Sequence, residues 1–259
     1  MPRPPVAVAL EPGASAYAAL RVAADVALRH GCPLRAYALC EGVAPTLRAL
    51  RRVKLAGRRR GLEVSFVSLE GTLLDVSRAA SDARLLVVGR ARTPGSPGLK
   101  RRLLLGSLLR ASGPPLLVVP GRTRPLGERV LLVSSGDGSA ALDGFYETVK
   151  PLVVRVSVLR FLTRAGLQLD RLLDDSIEGA LAWDERIIHA DEGHDEGDAI
   201  LAAAARLHPT LVAIARAARG PGFAALIAPE AADRVICQVP GPVLVARSLA
   251  EPVSLPVAV

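Results

Sequence analysis

Short apolar segments alternate along the chain with longer segments in which apolar residues recur every three or four positions. The short segments are rich in Val and Leu and bounded by turn residues, a pattern that predicts β-strands. The longer segments predict amphipathic helices. In the first half, the predicted strands are residues 6–10, 34–39, 63–69, 84–89 and 115–120, and the predicted helices are residues 15–31, 46–61, 72–81 and 99–111.

The second half repeats the same order of elements. Its predicted strands are residues 129–134, 151–161, 186–190, 210–215 and 241–246, and its predicted helices are residues 139–150, 165–183, 195–208 and 223–238. Strands that alternate with helices favour a parallel sheet with right-handed crossovers. The repeat predicts two domains, residues 1–124 (the first half) and 125–259 (the second half), joined by a linker at 121–128.

Composition limits the class of protein. About 3% of the 259 residues are aromatic, so the core must consist of Leu, Val, Ala and Ile. No apolar run approaches the ~20 residues of a membrane span, and the N-terminal segment lacks the apolar region of a signal peptide. We therefore expect a cytoplasmic protein without a membrane span. Cys32, Cys40 and Cys237 lack CxxC spacing, which predicts reduced thiols.

Charge is distributed unevenly. Residues 1–125 contain 21 Lys and Arg against 7 Asp and Glu, a net charge of +14, whereas residues 126–259 contain 12 against 18, a net charge of −6. This asymmetry indicates either an anionic partner for the basic half or an attraction between the two halves.

Three segments carry a family resemblance: "LEGTLLDVSRAASDARLLVVGR" (69–90), "ADEGHDEGDAILAAAARLHPTLVAIAR" (190–216) and "ADRVICQVPGPVLVAR" (232–247). With the order of elements over both halves, the chain resembles the universal stress protein (UspA-like) family in its tandem form. The resemblance implies an α/β fold of two Rossmann-like, adenine nucleotide alpha hydrolase-like domains. Each would be a five-stranded, mainly parallel sheet flanked by helices, and the two would pack as an intrachain pseudo-dimer.

Many members of this family bind ATP at the carboxyl ends of the strands, and others act through dimer surfaces without a nucleotide. The ATP-binding pattern is Gly, two residues, Gly, nine residues, then Gly and Ser or Thr. In the first half, the resemblance assigns Gly89 to the first glycine and Gly106-Ser107 to the Gly-Ser pair, and Glu11 stands for the family's Asp. The first half thus keeps part of the family's ATP-binding pattern.

The first half also departs from the pattern. Arg92 replaces the middle glycine, and the spacing from Gly89 to Gly106 is four residues too long. Either the loop is longer and Gly106 begins the helix, or the helix begins near Leu99 and Gly106 lies inside it, which is the arrangement we expect. Arg90 and Arg92 would then form a cationic rim that grips phosphate through side chains.

The second half is predicted to lack a nucleotide site. Ser135 occupies the position of the family's Asp, and Pro229-Glu230 occupies that of the Gly-Ser pair. A proline removes an N–H donor, and a carboxylate repels a triphosphate.

Two further clusters have structural explanations. His189, Asp191, His194 and Asp195 include metal-ligand types, but we expect an acidic helix start there and no metal site. The basic helix predicted at 46–61 is typical of a solvated face, and its charges also suit contact with the acidic half. No catalytic motif such as GxSxG, HExxH or GxxxxGK[ST] occurs in the sequence.

We therefore expect a non-enzymatic regulatory protein that acts as an interaction or stress-response module with an unidentified protein partner. One alternative is an ATP-binding protein with a single site in the first half. A second alternative is an adaptor that binds an anionic surface through the basic half. Nucleic-acid binding is not expected. The sequence leaves open whether the pseudo-dimer pairs again into a homodimer, which exposed last strands would allow.

Overall fold

The computed structural model describes residues 3–11, 14–39, 51, 54–55, 57–58, 60–90, 107–108, 113–122, 126, 129–135, 155–162, 182–189, 195–216 and 229–247.

The strands are short and made mainly of Val, Leu, Ile and Ala, as predicted. They are β1 (Val6–Leu10), β2 (Leu34–Leu39), β3 (Val64–Leu69), β4 (Leu85–Arg90), β5 (Leu116–Pro120), β6 (Val130–Ser135), β7 (Arg155–Leu162), β8 (Ala182–His189), β9 (Leu211–Arg216) and β10 (Val243–Arg247). The described helices with complete bounds are α1 (Ala14–His30), α2 (Leu73–Ala79), α3 (Glu196–Leu207) and α4 (Pro229–Gln238).

All ten strands form one sheet in the order β3-β2-β1-β4-β5-β10-β9-β6-β7-β8. Every pair is parallel except β5 and β10, which are antiparallel. Each half therefore contributes a five-stranded parallel sheet with the doubly wound order 3-2-1-4-5. The predicted α/β fold class is confirmed, and the domain boundary at residues 124 and 125 remains a prediction.

The junction between β5 and β10 has an internal two-fold symmetry. Leu117 pairs with Leu244, and the flanking pairs are Leu116 with Val245 and Val118 with Val243. The register of β5 on β4 is the same as the register of β10 on β9, so Leu117 and Leu244 occupy equivalent places in the two halves. The fifth strands thus pair with each other inside one chain. The expectation that exposed last strands are available for homodimer formation is therefore wrong, because their free edges are used in the junction.

Two apolar layers cover the sheet. On the first face, α1 packs against a cluster that includes Val8, Leu34 and Val87. On the second face, α2, α3 and α4 pack against a cluster that includes Leu86, Val88 and Val212. Alternate residues of each central strand enter opposite layers, which explains why these strands lack polar alternation.

The end of α1 and the start of β8 can be explained by the residue types found there. Helix α1 ends where predicted because Gly31 adopts a positive φ of 59°, which is accessible to glycine at no steric cost. The helix predicted to extend to Trp183 is wrong at its end, since β8 begins at Ala182 and pairs with β7 over eight residues. The Trp and Ile residues of this segment favour a strand.

Several predictions lie outside the described residues. These are the helices at 139–150 and 165–181, most of the helices at 46–61 and 99–111, the loop at 91–106 and part of the linker. Within them, residues 51, 54–55, 57–58 and 107–108 are helical.

Cys32 and Cys237 carry free thiols, in agreement with the prediction for those two, and burial raises the pKa of Cys32.

Candidate functional site

Three of the predicted site residues lie together at the carboxyl ends of β1 and β4. These strands are adjacent and parallel, with Ala9 opposite Val88, so Glu11 and the pair Gly89-Arg90 lie at the same level of the sheet. The chain passes from β1 to β2 on one side and reaches β4 on the other side of β1. The crevice at such a switch point is where open α/β sheets bind ligands.

Gly89 is held against the first turn of α1. A Cβ atom at Gly89 would lie 2.8 Å from both the carbonyl carbon and the carbonyl oxygen of Ser15. Real side chains do not approach backbone atoms so closely, so only glycine allows α1 to start this near to β4. The glycine therefore has a packing role in addition to any role beside a phosphate.

The matched position in the second half is not a glycine. The registers of β1 with β4 and of β6 with β9 make Ala215 the equivalent of Gly89 and Ser135 the equivalent of Glu11. A helix placed as close to Ala215 as α1 is to Gly89 would collide with the alanine methyl group. The two strand ends consequently differ in residue type at both matched positions.

Arg90 contacts the other half of the chain. Its guanidinium donates hydrogen bonds to the backbone carbonyl of Val239, at 2.6 Å, and to that of Ile236. Both carbonyls belong to the C-terminal end of α4, where backbone oxygens lack partners within the helix and carry partial negative charge. Arg3 makes the same kind of contact at the end of α1, donating to the carbonyls of His30 and Gly31.

The antiparallel junction explains why a residue of the first half reaches α4. Because β5 and β10 run in opposite directions, the amino end of β10 lies beside the carboxyl end of β5. Helix α4 leads into β10, so its C-terminus lies at the sheet edge where β4 ends. The structure shows Arg90 bonded to α4. Its predicted part in a cationic rim for phosphate remains a prediction.

The remaining first-half residues are only partly described. Ser107 is helical and half-buried, and the adjacent Leu108 is fully buried. Arg92 and Gly106 lie outside the described residues, as does the start of their helix. The two arrangements of this loop therefore both remain predictions.

The second-half positions, Pro229 and Glu230, are the first described residues of α4. Proline at the first helical position offers no N–H, and the glutamate already supplies the negative charge that the helix dipole favours. The absence of a nucleotide site in the second half remains a prediction.

Asp195, one of the candidate metal ligands, is the N-cap of α3. Its carboxylate accepts hydrogen bonds from the backbone N–H groups of Gly197 and Asp198. Arg234 of α4 donates to both Asp195, at 2.6 Å, and Asp198, at 2.8 Å. The hydrogen bond from Arg234, followed by those from the backbone, lowers the pKa of Asp195. Asp195 thus joins α3 to α4.

His189 is the last residue of β8, whereas Asp191 and His194 lie outside the described residues. Within the described ranges, no group of three or more His, Cys, Asp and Glu side chains is arranged to hold a metal ion.

The pKa of Asp195 leads to a pH-dependent prediction. A carboxyl whose pKa is lowered on folding stabilises the protein above its unfolded pKa of about 3.9, and that stabilisation is lost as pH falls through the folded pKa. We expect Asp195→Asn, which can still cap α3, to melt at a lower temperature than the wild type at neutral pH. The difference should shrink on acidification in thermal melts recorded from about pH 6 to 3. A difference that is constant over this range would contradict the assignment.

Sequence reasoning missed the contact of Arg90 with α4, because its partners lie 146 and 149 positions away. An arginine ends both β4 and β9, at the matched positions Arg90 and Arg216. That repetition was the available sequence signal that the arginine has a structural role.

The fold and the strand-end crevice define a doubly wound α/β protein of two related halves. The chain is similar over 93% of its length to 96% of a universal stress protein structure from Archaeoglobus fulgidus, with 15% identity and a TM-score of 0.62. It is also similar over 94% of its length to 92% of a functionally unknown protein from Pseudomonas aeruginosa PAO1, with 18% identity and a TM-score of 0.60. The predicted resemblance to universal stress proteins is confirmed at the level of the fold.

A third similar structure is the cytoplasmic domain of a prokaryotic cation chloride cotransporter. The similarity covers 96% of this chain and 97% of the cotransporter domain, with 13% identity and a TM-score of 0.57. No protein-family profile matches the chain, and no curated protein matches it significantly. In the portion of the chain that is described, none of the helices combines the length and apolarity needed to cross a membrane.

Proposed function

We propose that the chain is a UspA-like regulatory protein of the cytoplasm that acts in stress response by binding a protein partner and not by catalysis. The fold over both halves supports the family assignment. The sequence offers no catalytic motif, which supports a binding role. The main observation in favour of a nucleotide-independent module is the contact of Arg90 with α4, since a cation of the strand-end crevice is used to join the two halves.

The junction also bears on partners. With β5 and β10 paired, each chain is already a pseudo-dimer, so a protein partner must use another surface. The two outer strands, β3 and β8, are the sheet edges that remain.

A second candidate function is a single ATP site in the first half. The observation that favours it is the meeting of Glu11 and Gly89 at the switch point, with Ser107 in the following helix. In this case the backbone of the loop and the Ser107 hydroxyl would hold the phosphates, and Glu11 would hold the ribose or adenine side.

Calorimetric titration of the nucleotide-stripped protein with ATP-Mg distinguishes these two functions. For the nucleotide-independent module we expect no binding heat and no thermal stabilisation at millimolar ATP. A ligand at a hundred times its Kd would stabilise the protein by about 2.7 kcal/mol, which a thermal melt detects readily.

Two variants test whether any ATP binding occurs at the first-half site. Binding of one ATP per chain that is weakened by Ser107→Ala would contradict the nucleotide-independent function and establish the first-half site. Arg92→Gly restores the family's middle glycine, so it should strengthen binding at such a site and leave a nucleotide-independent protein unchanged.

A further inference from the structure

The first face of the sheet carries an exposed basic helix near the β3 edge. Residues 51, 54–55 and 57–58 of this helix are described. Its inner side is close to the core, because a Cβ at Gly57 would lie 3.1 Å from the Leu62 Cβ, and Leu62 belongs to the same apolar cluster as α1. The helix therefore lies beside α1 on the first face.

The outer side of this helix combines charge with an apolar residue. Arg51, Lys54, Leu55 and Arg58 have the spacing i, i+3, i+4 and i+7, which places them in one stripe. All four side chains are exposed, and Leu55 is 65% exposed. The expected contact of this helix with the acidic half does not hold for the three cations of this stripe. They face solvent at the end of the sheet farthest from the second half.

Two aromatic side chains are exposed on the same face of the first half. Tyr17 is 51% exposed on the outer side of α1. Phe66 is 43% exposed and lies on the same side of β3 as Val64, which packs against the first-face cluster. Among the described residues, Tyr17, Leu55 and Phe66 are the large apolar side chains that are exposed, and all three lie on this one face of the first half.

We propose that this surface, formed by Tyr17, Arg51, Lys54, Leu55, Arg58 and Phe66, docks onto an anionic phospholipid membrane. A basic amphipathic helix lies in the lipid interface when its apolar residues enter the acyl boundary and its cations contact anionic headgroups. The first half supplies the long-range attraction, with 21 Lys and Arg against 7 Asp and Glu in residues 1–125.

The residue types favour a membrane over a nucleic acid. The most exposed apolar residue is Leu55, between the cations of the stripe, and a leucine cannot stack on bases as an aromatic ring does. Burial in the lipid interface uses both the leucine and its cationic neighbours. The cations of the stripe and Leu55 are not among the residues of the strand-end crevice, so membrane docking and ATP binding can each fail without the other.

Co-sedimentation with vesicles tests the proposal. We expect the purified full chain to bind vesicles of phosphatidylcholine and phosphatidylglycerol, and not vesicles of phosphatidylcholine alone. Binding should decline steeply as salt rises, because the headgroup attraction is screened. Arg58→Glu should weaken binding more than about fivefold, since loss of one cation alone costs about that factor.

Control variants distinguish vesicle binding by this surface from binding by the positive charge of the protein as a whole. Arg78→Glu makes the same charge change on α2, which packs on the second face, at a side chain that is 77% exposed. It should bind vesicles nearly as well as the wild type, whereas Leu55→Ser should bind several-fold more weakly. Thermal melts will check that every variant is folded.

Four outcomes would overturn the proposal. They are no binding to anionic vesicles at low salt, equal losses for Arg78→Glu and Arg58→Glu, unchanged binding of Leu55→Ser, or tighter binding to a DNA or RNA oligonucleotide than to vesicles. The last result would identify a nucleic-acid surface instead.

Discussion

Gly89→Ala is expected to lower the free energy of unfolding by about 2 kcal/mol, within the range of overpacking in a close-packed site. The new Cβ would lie 2.8 Å from the carbonyl carbon and oxygen of Ser15. Those are backbone atoms of α1, which is itself fixed against the first-face core, so the contact cannot relax by a rotamer change. Alanine ordinarily suits a strand better than glycine by about 0.5–1 kcal/mol, and the collision must outweigh this gain. Chemical denaturation monitored by circular dichroism measures the change.

Gly121→Ala is the matched control. Gly121 follows β5 near the same helix turn, but a Cβ there would be 4.0 Å from the Ser15 nitrogen, an ordinary contact. We expect a change within about 0.5 kcal/mol, as for most surface substitutions. If the two substitutions had equal effects, the close approach of α1 to Gly89 would be refuted.

The first-half strands and their parallel pairing could be predicted from sequence because each depends on local pattern. Val and Leu segments bounded by turns gave β1, β4 and β5 within a residue or two. The repeat of the pattern then implied the same order in both halves, which the strand registers show. The prediction was wrong at residues 182 and 183, where the helical spacing of apolar residues concealed the start of β8.

The junction and the site contacts could not be predicted, because they depend on residues far apart in the chain. Nothing in the local pattern of β5 or β10 specifies that they pair with each other in the antiparallel sense. Without that pairing, the C-terminus of α4 cannot be placed beside Arg90. The arginine therefore suggested a phosphate ligand, although backbone carbonyls of the other half are its partners. Gly89 likewise matched the family's phosphate glycine, whereas its contact with Ser15 arises from helix packing.

Arg90→Met is expected to cost about 3 kcal/mol of unfolding free energy. Hydrogen bonds from a charged donor contribute about 1.5–3 kcal/mol, and removal of the donor leaves the carbonyls of Ile236 and Val239 without it. Methionine keeps much of the apolar stem, so packing changes little. In a protein of this size the melting temperature should fall by about 9 °C. Amide hydrogen exchange should also accelerate at the end of α4, where the N–H of Val239 bonds to the carbonyl of Val235.

Arg78→Met provides the comparison, since Arg78 is 77% exposed and forms an i,i+3 pair with Asp75 at 3.1 Å. Its loss should cost less than about 1 kcal/mol, as for other surface ion pairs, and should leave exchange in α4 unchanged. Equal stability losses, or faster exchange that is spread over the whole sheet, would argue against a specific contact between the halves.

The result for Arg90 also constrains the candidate ATP site. If the contact with α4 is worth several kcal/mol, a phosphate at the strand ends must compete with it for the guanidinium. A nucleotide held by the loop backbone and Ser107 would leave exchange at the end of α4 unaltered. A nucleotide gripped by Arg90 would accelerate that exchange in the wild type but not in Arg90→Met. Hydrogen exchange with and without ATP-Mg therefore separates the two modes of binding.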